Sequence, residues 1–310
     1  MTPYIDPDML PILEAMRAAP PAYEAMPLAH ARSVFEAGMA PWTALGPQDL
    51  VVDELTLPGA AGPMRARLYR PAAAKLPLIL FVHGGGWTFG SVDSHANEMR
   101  YLALASGCAV LGFEYRLAPE HPFPLPLDDV LAAVEGLRAG VLGDLADTDR
   151  LALAGDSAGA NLALAALLAL RDAGKKLPAA AVLFYGGYTP ADDSPSHRQF
   201  GDGSFGLSTA RMRWYWGNFL GSAAAPPLLA APLGADLAGL PPLHLMAAGL
   251  DPLTDDTMTL AERLKAAGGT YELAVVPGVV HGFLGRAPRL PAAQDALAKA
   301  GAFLAAKLGF

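Results

Sequence analysis

Ser157 stands in the run LALAGDSAGANLALAALLAL, with Gly155 and Gly159 two residues away on either side. An apolar strand pattern leads into it and an apolar helix pattern leads away, the setting in which a G-x-S-x-G turn exposes a hydroxyl for nucleophilic attack. The flanking glycines relieve crowding at so sharp a turn. A helix N-terminus behind the serine adds free N–H groups and partial positive charge where an oxyanion would develop. The plainer reading of these five residues is a glycine-rich turn with a capping Ser or Asp. The hydroxyl becomes a nucleophile only if the chain also supplies a base for its proton and a carboxylate to stabilise the resulting imidazolium.

Three other segments supply that chemistry. HGGGWTFG, residues 83–90, directly follows the apolar run LILFV. Consecutive glycines let backbone N–H groups approach a tetrahedral oxygen, so Gly85, Gly86 and the N–H of Ala158 are the expected oxyanion hole. A phosphate loop is the competing reading, disfavoured because this run lacks both the Walker Lys-Ser/Thr and the G-x-G-x-x-G spacing. His83 ends the strand and reads as structural, while Trp87 fits either core or pocket wall. PPLHLMAAGLDPLTDD places Asp251 just beyond a buried strand, where catalytic groups of parallel sheets collect. Its rivals Asp255 and Asp256 fall at the start of the next helix and suit its dipole. His281 follows YELAVVPG in a loop before the last helix, whereas His244 lies inside a strand. The expected triad, in the chain order Ser, Asp, His, is Ser157, Asp251 and His281.

The elements that must position these residues follow a clear grammar. LVVDELTLP and MRARLYRP alternate and flank the turn Gly59–Pro63, predicting an antiparallel pair. From Leu76 onward, continuous apolar runs alternate with helical patterns near Asn97–Ser106, Leu125–Arg138, Ala158–Asp172, Thr254–Ala267 and Pro291–Leu308. Such alternation predicts an α/β fold whose mostly parallel sheet is covered by helices on both faces. Residues 1–45 and 190–222 have no strand series of their own and read as two parts of a helical cap; residues 46–189 and 223–310 form the core.

Composition narrows the partners. A net charge of −8 without a basic block leaves no nucleic-acid footprint and gives anionic substrates no long-range steering. The longest apolar run, near Leu162–Leu170, is too short for a bilayer, so no membrane partner is expected. The acidic, proline-containing start MTPYIDPDML does not resemble a secretory signal, which makes the cytoplasm the expected location. Cys108 is the single cysteine and reads as a buried packing residue.

Taken in order, HGGGW at 83–87, YRLAPEHPFP at 115–124, GDSAG at 155–159, DPLTDD at 251–256 and HGF at 281–283 resemble the hormone-sensitive-lipase family of esterases. This is bacterial family IV, here in its GDSAG branch, within the α/β-hydrolase superfamily. The resemblance spans about residues 50–305. It implies a serine carboxylesterase that hydrolyses short-acyl esters through an acyl-enzyme, with the triad and oxyanion hole named above and with no cofactor or metal. Asp156 is then a scaffold carboxylate beside the elbow. Together with Trp87, Tyr188, Trp214 and Phe283 it is expected to contribute to the substrate site. Glu120 and Asp128 or Asp129 take structural or helix-start roles. Similar proteins also pair as homodimers through an edge strand, here near Tyr271–Val276. The segment GGYTP at 186–190 departs from the Tyr-Pro pair of many relatives, so substrate preference does not carry over. Amide or aryl-formamide hydrolysis is the alternative chemistry. A non-catalytic ligand-binding protein, as in the similar plant gibberellin receptors, is disfavoured because all three triad positions are filled.

Overall fold

The computed structural model describes residues 3–310. Two helices, α1 (Leu10–Ala18) and α2 (Leu28–Thr43), precede the hairpin of β1 (Val51–Gly59) and β2 (Gly62–Arg70). There follow β3 (Leu76–Val82), α3 (Ala96–Ser106), β4 (Ala109–Phe113), α4 (Leu125–Arg138), β5 (Ala146–Asp156), α5 (Ala158–Asp172) and β6 (Ala181–Phe184). Helices α6 (Pro195–Phe200) and α7 (Thr209–Leu220) interrupt the alternation before β7 (Leu243–Leu250), α8 (Thr254–Ala266), β8 (Tyr271–Val280) and α9 (Pro291–Leu308).

The eight strands form one sheet in the order β1-β2-β4-β3-β5-β6-β7-β8. The β1–β2 and β2–β4 pairs are antiparallel and every other pair is parallel. The expected α/β architecture is therefore present. Strand alternation divides the interior into two cores. Leu78, Leu80, Val82, Leu111, Leu153, Leu183 and Leu245 face one of them, with α4, α5 and α8. Ile79, Phe81, Val110, Ala152, Val182 and Met246 face the other, with α3 and α9. This two-residue period is why strands covered on both faces read as continuous apolar runs. No helix among the described residues is long and apolar enough to cross a membrane.

Side chains tie the N-terminal helices to the sheet. Arg32 on α2 donates to the carbonyls of Thr88, at 3.0 Å, and Ala118, at 3.1 Å, and its guanidinium pairs with Glu120. Asn97 on α3 donates to the carbonyls of Trp42 and Gly285. Helix α2 is thereby held against the glycine loop, the loop after β4 and the segment after β8. Asp129 accepts from Arg116 and from the N–H of Ala60, joining α4 to the β1–β2 turn.

Candidate active site

The glycine loop, Ser157, Asp251 and His281 follow β3, β5, β7 and β8, all members of the parallel set. Their C-terminal ends lie at one edge of the sheet, so residues far apart in sequence converge there. Ser157 adopts φ 53° and ψ −118° between β5 and α5, a conformation that costs a non-glycine residue about 1–3 kcal/mol. Its N–H donates to Phe184 at 2.9 Å and its carbonyl accepts from Asn161 at 3.2 Å, which holds the turn. A methyl group at Gly159 would land on the carbonyl of Val82, and one at Gly155 would lie 2.6 Å from the Gly159 backbone. The two glycines of the motif thus allow strand, turn and helix to pack at backbone contact.

The hydroxyl of Ser157 donates to Nε2 of His281 at 2.8 Å, and Nδ1–H of His281 donates to Asp251 at 2.7 Å. Asp251 is fully buried, and its other oxygen accepts the Leu253 N–H at 2.9 Å. The ring of Tyr185 meets the imidazole edge-on at 5.0 Å. Gly85 and Gly86 line the same cleft as Ser157 and His281, and neither N–H has a protein acceptor among the described residues. Ala158 opens α5, so its N–H is one of the helix donors left without an intrahelical partner.

The rival residues are occupied elsewhere. Asp256 accepts from the N–H groups of Tyr188 and Thr189, and Asp255 accepts from that of Ser196. His244 sits on β7 beside Glu272, at 3.3 Å. His83 is buried, donates to the Gly84 carbonyl at 2.8 Å and stacks on Tyr115; burial lowers its pKa to about 3.

The sequence pattern of the alpha/beta hydrolase fold family matches residues 79–285. Esterase LipI of Mycobacterium tuberculosis is 36% identical over 256 residues, covering 80% of this chain and 79% of its own. Carboxylesterase NlhH of the same species is 38% identical, with 74% of each chain covered. The chain belongs to the hormone-sensitive-lipase-like family IV esterases of the α/β-hydrolase superfamily. It is a carboxylic ester hydrolase. Solved structures agree: an ester hydrolase from the metagenome of Lake Arreo superposes with a TM-score of 0.92 at 35% identity, covering 99% of this chain and all of the other. The hyperthermophilic esterase of Pyrobaculum calidifontis does so at 0.89 and 30% identity, over 98% of each chain.

The cleft of this esterase has a volume of about 730 Å³ and is walled by α1, α2, α7 and the loops that follow the strands. Asp156 lies on its lining beside Ser157 and accepts the Gly84 N–H at 2.7 Å. Burial raises the Asp156 pKa to about 6, opposed by that bond and by the nearby histidines. Four other residues expected at the substrate are not part of the cleft lining. Trp87 is fully buried and stacks on Phe219 at 4.2 Å. Tyr188 and Phe283 are likewise fully buried, the latter packed on Tyr185. Trp214 packs beside Phe89 and Tyr215. Of the α7 aromatics it is Tyr215 that reaches the cleft, its ring filling the space over Gly86. One helical step turns a side chain by about 100°, so an aromatic cluster in sequence does not say which ring faces inward.

Sequence reasoning also missed Glu98 and Arg286, both on the cleft lining. Glu98 sits on α3 and is 3% exposed. Burial pushes its pKa from an ordinary 4.5 up to about 8, and the adjacent Asp156 adds to the shift while Arg286 opposes it. The folded protein therefore holds a proton on Glu98 that the unfolded chain releases, so stability falls as pH rises from about 4.5 to about 8. Glu98→Gln should remove this decline. Urea denaturation of the two proteins at pH values on either side of that window should show the variant gaining a few kcal/mol relative to wild type at the alkaline side. A stability difference that does not change with pH would contradict the assignment.

Proposed function

We propose that Ser157, His281 and Asp251 hydrolyse short-acyl carboxylic esters through an acyl-enzyme. The observation that carries this reading is the continuous pair of hydrogen bonds from Ser157 through His281 to Asp251, opening onto a cleft beside unpaired backbone N–H groups. His281 Nε2 takes the hydroxyl proton as Oγ of Ser157 bonds to the ester carbonyl carbon. The oxygen that becomes negative faces the N–H groups of Gly85, Gly86 and Ala158, which need no reorientation to stabilise it. The imidazolium, held by Asp251, returns the proton to the departing alkoxy oxygen as the C–O bond breaks. Water then repeats the sequence: its proton passes to Nε2, its oxygen bonds to the acyl carbon, and Ser157 recovers the proton as the carboxylic acid leaves.

Helices α1 and α2 and the segment 190–222 act as the cap over this site, since α1, α2 and α7 supply most of the wall away from the sheet. A wall of packed side chains favours small acyl groups. A series of p-nitrophenyl esters should peak at about four to six acyl carbons, and a preference for long chains would contradict the reading. A matched pair of ester and amide substrates should show ester turnover dominating. Two copies also pair along β8, an edge strand on which Leu273 and Val275 are exposed; light scattering in solution tests this.

A further inference from the structure

Beyond Ser157 and His281 the cleft is lined by apolar residues of α2, including Phe35 and Met39, and by polar side chains that include Asp156, Arg211, Glu98 and Arg286. Arg286 lies in the short helical turn Phe283–Arg289, directly after the triad histidine. Its guanidinium rests over the Trp42 ring at 4.7 Å and donates to the Met39 thioether at 3.5 Å, a weak acceptor. Among the described residues no carboxylate forms an ion pair with it. Glu98 is nearly fully buried, and its Oε2 has no hydrogen-bond partner among the described residues. The backbone of Gly285, one residue before Arg286, packs against the Glu98 carboxyl; a Cβ there would lie 3.0 Å from Oε1.

A half-buried guanidinium without an anion is costly, and so is a buried carboxyl group without a partner. A proton retained on Glu98 keeps it from neutralising Arg286 and makes it a hydrogen-bond donor. Both groups then present donors to the cleft. A carboxylate satisfies them together, because its two oxygens match the guanidinium fork and accept an O–H as well.

We propose that Arg286 and Glu98 form a carboxylate-binding subsite, and that the esterase acts on esters bearing a second, free carboxylate. The proposal rests on the hydrolytic reading given above and adds the substrate class. The net charge of −8 supplies no long-range attraction for such anions, so selection comes from contact inside the cleft.

Two substrate pairs test this, each differing only in whether the far end is a carboxylate or an isopropyl group of similar shape. Monoethyl glutarate against ethyl isoheptanoate places that end on the acyl side. γ-Acetoxybutyrate against isohexyl acetate places it on the alcohol side. In one of the pairs wild type should favour the carboxylate ester in kcat/KM by about tenfold or more, the size expected of a charge-assisted hydrogen bond. Arg286→Met should lose that factor and Arg286→Lys should recover part of it. Glu98→Gln, which keeps a donor, should stay close to wild type, whereas Glu98→Leu should lose selectivity.

If Arg286→Met does not fold, inhibition of wild type decides: glutarate should block p-nitrophenyl butyrate hydrolysis more strongly than isoheptanoate. Preference for the apolar ester in both pairs, or a selectivity unchanged in a folded Arg286→Met, overturns the subsite while leaving ester hydrolysis intact. No turnover of any ester, p-nitrophenyl butyrate included, overturns the hydrolytic reading together with it.

Discussion

Ser157→Ala should lower kcat for p-nitrophenyl butyrate by about ten-thousand-fold or more while leaving the fold unchanged. The variant loses the atom that bonds to the carbonyl carbon but keeps the cleft walls and the N–H groups of Gly85, Gly86 and Ala158. Residual turnover above the uncatalysed rate would measure what oxyanion stabilisation and binding contribute alone. Alanine also keeps the backbone strain at φ 53°, since its Cβ meets the same clash as that of serine. Ser157→Gly relieves the strain. It should be equally inactive but more stable by about 1 kcal/mol, after allowing for the greater chain entropy that glycine brings to the unfolded state. Steady-state kinetics beside thermal melting of the two variants checks both halves. Activity near wild type in either one would remove Ser157 from the chemistry.

Asp251→Asn should be almost as damaging, with kcat reduced about ten-thousand-fold and KM little changed. The reason lies in how the carboxylate is held. One oxygen accepts the Leu253 N–H and the other accepts Nδ1–H of His281, with no solvent at either. An asparagine must keep its oxygen on the Leu253 N–H, so its NH₂ group is turned toward the imidazole. His281 can then meet it only as the tautomer protonated on Nε2, the nitrogen that has to receive the Ser157 proton. Because Asn matches Asp in shape and leaves Leu253 bonded, melting should shift far less than activity does. A variant that melts normally and retains most of its kcat would mean that Asp251 does not orient the base.

Much of this protein was legible in its sequence because the features concerned are local. A strand buried on both faces has to be apolar throughout, and a helix between two such strands has to be long and periodic; LPLILFV and AGANLALAALLALRD show this without reference to anything distant. The elbow is equally local, since Gly155, Ser157 and Gly159 lie within one turn and the turn itself demands those residue types. Asp251 and His281 were reachable because each directly follows an apolar strand, and parallel strands deliver their C-terminal ends to one edge.

The substrate wall was decided only by tertiary structure. Which aromatic of Trp214, Tyr215 and Trp216 faces the cleft depends on the rotation of α7 about its axis, and that rotation is set by packing against Trp87 and Phe89. The presence of Glu98 and Arg286 on one cleft depends on α3 meeting the turn after β8 across 188 residues of chain. A lone Glu in a helix and a lone Arg in a turn carry no sign of each other in sequence. Side chains from separate elements share a cavity only once the elements have packed, so the residues of the proposed catalytic centre stand in motifs and the lining of the cleft does not.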